Sequence, residues 1–312
     1  MKRILVVKLS SFGDLFHALP TVHLLRRHTG AQVDWACHDL YVDLVRCFKP
    51  VDRVIPFPRR SFARHSARFL RELHAQDYDL VVDLQGLLKS AFVTRAARAA
   101  RRIGPSFSRE GSRLFYDAVA GPTNKDRHAV EECRDTLRYL GLPDHPVEFP
   151  VDFPAFPLNL PRPRIGLLPC SRRAEKNWPI VHFAEVGRAI TGAQFLVLGG
   201  PADALPCAEL TAAIGERAHN WCGRTTMIEL GGLIRELDLL ITVDSGPMHV
   251  AAAVGTPTVA VFGPTDPVRT GPYGPRHRVV REGPDLALLP AAPVIAAARD
   301  LLAAGGNAEG NR

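Results

Sequence analysis

Short apolar runs rich in β-branched side chains recur along the chain, each followed by a polar or small-residue loop and then a stretch with helical spacing. Residues 4–7, 33–37, 53–57 and 80–83 are such runs in the first half, with helical patterns over 12–28, 40–48, 62–76, 87–100 and 126–140. In the second half the strand-like runs are 164–168, 195–198, a short one near Asn220, 239–243 and 258–262. The helical patterns there cover 179–190, 227–236 behind a capping segment at 223–226, an alanine-rich run after Pro247, and 287–302 before a frayed polar tail at 303–312. Continuous apolar strands alternating with helices predict parallel sheets covered on both faces. Seven prolines between residues 143 and 163 exclude a helix or central strand there. The predicted plan is therefore α/β: two Rossmann-like, doubly wound domains at 1–145 and 164–312, with a proline-rich linker at 146–163. Their strand ends are expected to face an interdomain cleft.

The loops that follow the strands carry the candidate chemistry. D-S-G-P-M-H at 244–249 reads as strand, tight turn and helix start, with Pro247 suited to the first helical position. Backbone N–H groups of Ser245 and Gly246 would then lead a helix N-terminus, where the macrodipole favours an anion such as phosphate. A second strand end delivers G-P-T-D-P at 263–267 to the same side. At the other end of the chain, Leu9-Ser10-Ser11-Phe12-Gly13-Asp14 follows the first strand, with Ser10, Ser11 and Asp14 as caps. Asp14 has two readings: a helix-start carboxylate favoured by the dipole, or a general base at a strand C-terminus. Most of the arginines over 59–71 and 95–113 suit solvated helix faces, but Arg59 and Arg60 follow a strand end and so fall on the ligand side of a sheet.

Composition narrows the classes. The 312 residues are 46% hydrophobic and 23% charged, with a net charge of +7, which favours anionic partners without choosing among them. Six scattered cysteines without C-x-x-C pairing read as free thiols in a reducing cytosol. G-x-G-x-x-G, the P-loop pattern, H-E-x-x-H and G-x-S-x-G are all missing, so dehydrogenase, P-loop NTPase, zinc protease and α/β-hydrolase readings lose their sequence support. No apolar run is long enough to span a bilayer, and no signal-like segment opens the chain. An anion-binding helix start, a lysine loop at Lys176 and a carboxylate at Asp14 suit transfer from a nucleotide-activated donor.

Six ordered motifs then carry a family resemblance. K-L-S-S-F-G-D at 8–14 with H-A-L-P at 17–20, and D-S-G-P-M-H at 244–249 with F-G-P-T-D-P at 262–267, resemble the two signatures of the glycosyltransferase family 9 heptosyltransferases. Q-G-L-L-K-S at 85–90, R-E-G-S-R-L-F-Y at 109–116, H-A-V-E at 128–131 and E-K-N-W-P at 175–179 are similar to the lipopolysaccharide heptosyltransferase I branch of that family. The resemblance implies a GT-B fold and inverting, metal-independent transfer of L-glycero-D-manno-heptose from ADP-heptose to the Kdo of the inner core. It implies no cofactor and no nucleic-acid partner, and a cytoplasmic monomer in peripheral contact with the inner face of the membrane that carries Kdo-lipid A. It also allows the last helix to pack back on the first domain.

By the same resemblance Asp14 is the base and Lys176 stabilises departing ADP. Ser171, Arg172, Asp203, Thr225, Met227, Asp244, Ser245, Gly246 and His249 bind the donor. Lys8, Ser10, Ser11, Gly13, Arg59, Arg60, Arg64, Lys89 and Arg109 bind the anionic acceptor. His249 and Met227 retain structural alternatives, as a satisfied helix histidine and a core side chain. Arg172 departs from a family hydroxyl, which leaves its part in donor binding open; Glu132 departs from a family basic residue and the loop after Arg60 is short, and these two departures bear on the acceptor more than on the reaction. A nucleotide-sugar epimerase or phosphorylase, and a non-catalytic module for anionic polymer or membrane, are the competing classes.

Overall fold

The computed structural model describes residues 1–60, 62–124 and 126–309. The chain divides into two compact units, Met1–Asp152 and Phe153–Arg312. Among the described residues each holds one six-stranded, fully parallel sheet.

In the first unit the strands are β1 (Arg3–Val7), β2 (Gln32–His38), β3 (Arg53–Phe57), β4 (Leu80–Asp83), β5 (Arg102–Pro105) and β6 (Ala118–Ala120), in the order β3-β2-β1-β4-β5-β6. The central strands are buried along their length, as their continuous apolar patterns require. The strand after which the winding reverses is β1, so the loops following β1 and β4 diverge and leave a crevice at their C-terminal ends. The second unit repeats this plan with β7 (Arg164–Leu168), β8 (Gln194–Val197), β9 (Ala218–Asn220), β10 (Leu239–Val243), β11 (Thr258–Val261) and β12 (His277–Val280), in the order β12-β11-β10-β7-β8-β9. Its reversal lies between β7 and β10.

Sequence pattern missed β5, β6 and β12 and the helix Ala204–Ile214. R-I-G-P, A-V-A and H-R-V-V are too short or too polar for a periodic signal, and they pair because the neighbouring strands present open edges. The last helix also differs from expectation: it runs Ala291–Glu309 after a separate turn at Leu286–Leu288, so residues 303–309 continue it, while the end of the predicted tail, 310–312, lies outside the described residues. Val294, Ala298 and Leu301 of that helix are buried in the core of the second unit.

The proline-rich segment is anchored at both ends. Lys49 N–H donates to Pro150 O at 2.9 Å and Asp152 N–H to Cys47 O at 2.8 Å, which holds residues 150–152 to the first unit. Phe153, 2% exposed, lies in the second unit against Gly231, where a Cβ would come within 2.6 Å of its ring.

A buried carboxylate organises the loops after β4 and β5. Asp83 accepts from Gln85 N–H (2.7 Å), Gly86 N–H (3.0 Å) and the Tyr116 hydroxyl (2.8 Å). Burial pushes its carboxyl above the ordinary range, against these hydrogen bonds. Tyr116 reaches it across Gly104, where an added Cβ would lie 2.0 Å from the ring. Gly86 O in turn accepts from Arg109 N–H at 2.8 Å and Ser112 Oγ at 3.1 Å, so Q-G-L-L-K-S and R-E-G-S-R-L-F-Y form one braced unit. Gly104→Ala is expected to displace Tyr116, remove the hydroxyl donor from Asp83 Oδ2 and cost about 1–3 kcal/mol of stability. Chemical denaturation against Tyr116→Phe, which removes only the hydrogen bond and should cost less, checks this.

Candidate functional site

The second unit's crevice is built from the loops after β7, β10 and β11. After β7, Ser171 N–H donates to Asn177 Oδ1 at 2.7 Å, Lys176 lies in the single turn Ala174–Lys176, and buried Trp178 is pinned through Nε1 to Leu289 O at 2.9 Å. Braced on both sides, Lys176 extends Nζ to Asp244 Oδ2 at 2.6 Å. The Thr265 hydroxyl donates to the same oxygen at 2.6 Å. The two charged side chains are only 15% and 10% exposed, and the second hydrogen bond offsets part of the desolvation that a buried pair incurs. Lysine has three donors, so two N–H groups of Lys176 remain for a ligand.

Directly after Asp244, the helix Gly246–Val254 begins with Ser245 as its extended N-cap and proline in its first turn. Ser245 Oγ lies 3.1 Å from Thr242 Oγ1. The leading N–H groups, the dipole and the lysine all favour one guest, a phosphate or diphosphate. His249, 8% exposed, lies one turn into this helix.

The outer parts of the expected donor set are placed differently. Asp203 closes its own turn, accepting from Gly200 N–H at 2.8 Å. Thr226, not Thr225, caps the helix Met227–Arg235, exchanging hydrogen bonds with Glu229. Thr225 and Met227 are half-buried beside it, which removes the reading of Met227 as a fully buried core side chain. Arg172 is exposed, and its neighbour Arg173 pairs with Glu175 at 2.5 Å.

In the first unit the crevice lies between β1 and β4. Lys8, 7% exposed, donates through Nζ to Leu84 O at 2.7 Å, and Ser10 N–H donates to Gln85 Oε1 at 3.0 Å, so the β1 loop is tied to the end of β4. Lys8 is thus a buried strut rather than an open anion contact. Ser11 is the N-cap of the helix Phe12–Thr29, and its N–H and Oγ both donate to Asp14 Oδ2 at 2.8 Å. The other oxygen, Oδ1, lies 3.5 Å from His17 Nδ1. Burial works to raise the Asp14 carboxyl, but the His17 hydrogen bond, the Lys8 and His17 charges and the Ser11 N–H outweigh it and hold it well below the usual range. Asp14 therefore fills the capping role and stays ionised through neutral pH; its side chain remains 41% exposed and open to a partner.

Burial first, and then the charges of Arg59 and Lys89, hold the His38 imidazole at the end of β2 below its ordinary value. Arg60, Arg64 and Arg109 are exposed. Glu132 is 3% exposed, on the helix Ala129–Tyr139 that packs along Phe12–Thr29. The residues missed from sequence are Thr265, Asn177, His17 and Gln85. Each lies inside a motif already singled out, but its partner is distant in sequence or invisible to periodicity.

No helix among the described residues is long and apolar enough to cross a membrane. Two doubly wound units of this kind, the second with an anion crevice at its reversal point, define a GT-B transferase. The chain belongs to glycosyltransferase family 9 (heptosyltransferase), whose family model matches residues 66–287. It is 30% identical over 291 residues to lipopolysaccharide heptosyltransferase 1 of Pseudomonas aeruginosa, covering 87% of this chain and 81% of that one. It is 29% identical to lipopolysaccharide heptosyltransferase 3 of Escherichia coli K12, covering 93% and 95%. The E. coli heptosyltransferase WaaC solved with ADP superposes with a TM-score of 0.85 at 26% identity over 96% of this chain and 99% of that one. The same enzyme with ADP-2-deoxy-2-fluoro heptose gives 0.78 at 26% identity over 94% and 97%.

The depressed Asp14 carboxyl contributes stability that is complete above the unfolded carboxylate value of about 3.9 and is lost as pH falls through the lower folded value. His17→Gln removes the foremost of the groups that depress it, so the folded pKa is expected to rise toward that ordinary value and the acid loss to begin at higher pH. A carboxyl-carbon NMR titration of Asp14 checks this; an unchanged titration would remove His17 from its electrostatics.

Proposed function

We propose that this chain transfers L-glycero-D-manno-heptose from ADP-heptose to the Kdo of the lipopolysaccharide inner core, with inversion and without a metal, at the membrane face that carries the acceptor lipid. The observation that carries the reading is the Lys176–Asp244–Thr265 cluster beside the open N-terminus at Gly246. There the diphosphate of ADP-heptose takes the Ser245 and Gly246 N–H groups and the free donors of Lys176. Ser171 lies on the same loop as Lys176, Asp244 and His249 meet heptose or phosphate oxygens, and Asp203, Thr225 and Met227 line the nucleoside end. Arg172, exposed on that loop, has no contact from which to assign a part.

In the transfer, the Asp14 carboxylate takes the proton of the acceptor hydroxyl as that oxygen bonds to the anomeric carbon. The bond from that carbon to the phosphate oxygen breaks, and its electron pair leaves on ADP, where Lys176 and the helix start offset the growing charge. This protein charge takes the place of a metal ion at the leaving group. Arg59, Arg60, Arg64, Lys89 and Arg109 are suited to the Kdo carboxylate and the lipid phosphates, with the Ser10, Ser11 and Gly13 loop positioning the hydroxyl. Support for Kdo as acceptor comes from the Q-G-L-L-K-S and R-E-G-S-R-L-F-Y segments. The departure from the family pattern at Glu132 and the short loop after Arg60 carry the second reading, in which the acceptor is a later core heptose.

Asp14→Asn is expected to lower transfer by about 10²–10⁴-fold, with ADP affinity unchanged by calorimetry; full activity in this variant would remove the base assignment. Mass spectrometry of products from ADP-heptose, ADP-glucose, and UDP and GDP sugars, offered separately with Kdo-lipid A and with a heptosylated core acceptor, decides donor and acceptor. One heptose added to Kdo-lipid A, with activity retained in EDTA, is the expected result. Conversion of the donor sugar without an acceptor would instead favour an epimerase.

A further inference from the structure

Outside the proposed site, one apolar tip stands out on the first unit. Leu114 is 89% exposed and Phe92 55% exposed. The ring of Phe92 meets that of half-buried Phe115 edge to face at 4.9 Å, which joins the helix Leu88–Ala96 to the short turn Ser112–Phe115. An isolated exposed leucine would need no explanation, but an aromatic pair with a leucine on a braced loop is a built surface.

Charge surrounds this tip. Lys89, Phe92 and Arg95 follow one another at three-residue spacing on the helix and are all exposed, so a cation lies on each side of the ring along one face. Arg113 adjoins Leu114, and Arg109 begins the same loop. The nearby carboxylates are engaged with backbone: Glu110 accepts from Leu88 N–H at 3.1 Å and Asp117 from Arg102 N–H at 2.8 Å. The loop is rigid for its position, because Asp83, Tyr116 and Gly86 fix it from beneath.

We propose that Phe92, Leu114 and Phe115, with the exposed Lys89, Arg95, Arg109 and Arg113 on the same helix and loop, form a docking surface for an anionic lipid bilayer. The apolar tip enters the headgroup boundary while the cations meet lipid phosphates, the two contributions that together hold a peripheral protein at a membrane. A second copy of the chain fits less well. Three side chains fall far short of the roughly 1,200 Å² a stable interface buries, and like charges would face each other across it. The inference rests on the proposed function in expecting a lipid-borne acceptor and shares Lys89 and Arg109 with its acceptor side; the apolar tip itself is argued independently of donor chemistry.

Flotation of the full chain with vesicles of phosphatidylcholine, with or without phosphatidylglycerol, tests it. Binding is expected only to the anionic vesicles and is weakened by salt. Leu114→Asp should lower the bound fraction by about tenfold or more, and Phe92→Ser should lower it less. Both variants should keep the circular dichroism of the parent and its rate on a deacylated, water-soluble acceptor. A parent chain that ignores anionic vesicles, variants that float as the parent does, or a parent dimer that Leu114→Asp dissociates would each overturn the proposal. Loss of transfer in the parent with flotation intact would instead count against the proposed reaction and leave the surface standing.

Discussion

One carboxylate oxygen holds the second unit's crevice together. Asp244 Oδ2 accepts both the Lys176 ammonium and the Thr265 hydroxyl, so three loops, after β7, β10 and β11, converge on a single atom. Enclosed in this way, the ammonium and the carboxylate each give up hydration, which their mutual contact and the Thr265 hydroxyl replace. Paired, they stay at low exposure before any ligand arrives. The pairing does not exhaust the ammonium, which keeps donors for a second anion. Preorganisation of this kind places positive charge where a leaving diphosphate would develop its own, with little rearrangement at that moment.

The first unit meets the same topological crevice with a different balance. Its buried lysine, Lys8, is turned to a backbone carbonyl at the end of β4, so it acts on Asp14 through space rather than by direct pairing. Asp14 is held by the backbone and hydroxyl of its own N-cap and by His17 on the next turn of the helix. The capping and basic readings of Asp14 are therefore compatible. The cap orients the carboxylate and keeps it charged, while its exposed fraction leaves room for a hydroxyl donor. The depression has a chemical cost, since a weakly basic carboxylate takes up a proton less readily.

Much of this was legible in the residues. Strands β4, β7 and β10 fall where their apolar runs predicted, because a central parallel strand must be apolar on both faces. Two edge strands were not, since β6 and β12 depend on a neighbour's open hydrogen-bonding groups more than on their own side chains, whereas the edge strand β3 was marked by its own apolar run. Asp14, Lys176, Asp244 and Ser245 could be singled out from loop position and motif. Thr265 and His17 could not be assigned, because the first contacts a residue 21 positions away and the second acts through an (i,i+3) neighbour that composition does not mark. Lys8 illustrates the reverse error: the family resemblance implies an acceptor contact there, but its ammonium is turned inward to the Leu84 carbonyl.

The Asp83 frame ties recognition to rigidity in the first unit. Gly104 leaves room for the Tyr116 ring, the Tyr116 hydroxyl meets Asp83, and Asp83 with Gly86 fixes the turn that precedes Lys89. Gly86, at φ 73°, occupies a left-handed conformation that glycine adopts without strain, and a Cβ there would lie 2.8 Å from Pro105. The segments that carry Lys89, Arg109 and Leu114 are thus set by one buried carboxylate rather than by their own exposed side chains. Long cationic side chains lose considerable rotamer entropy when they bind, so a rigid backbone beneath them limits the ordering cost to the side chains themselves. A change at Gly104 would therefore reach the exposed cations and the apolar tip together, although neither touches it.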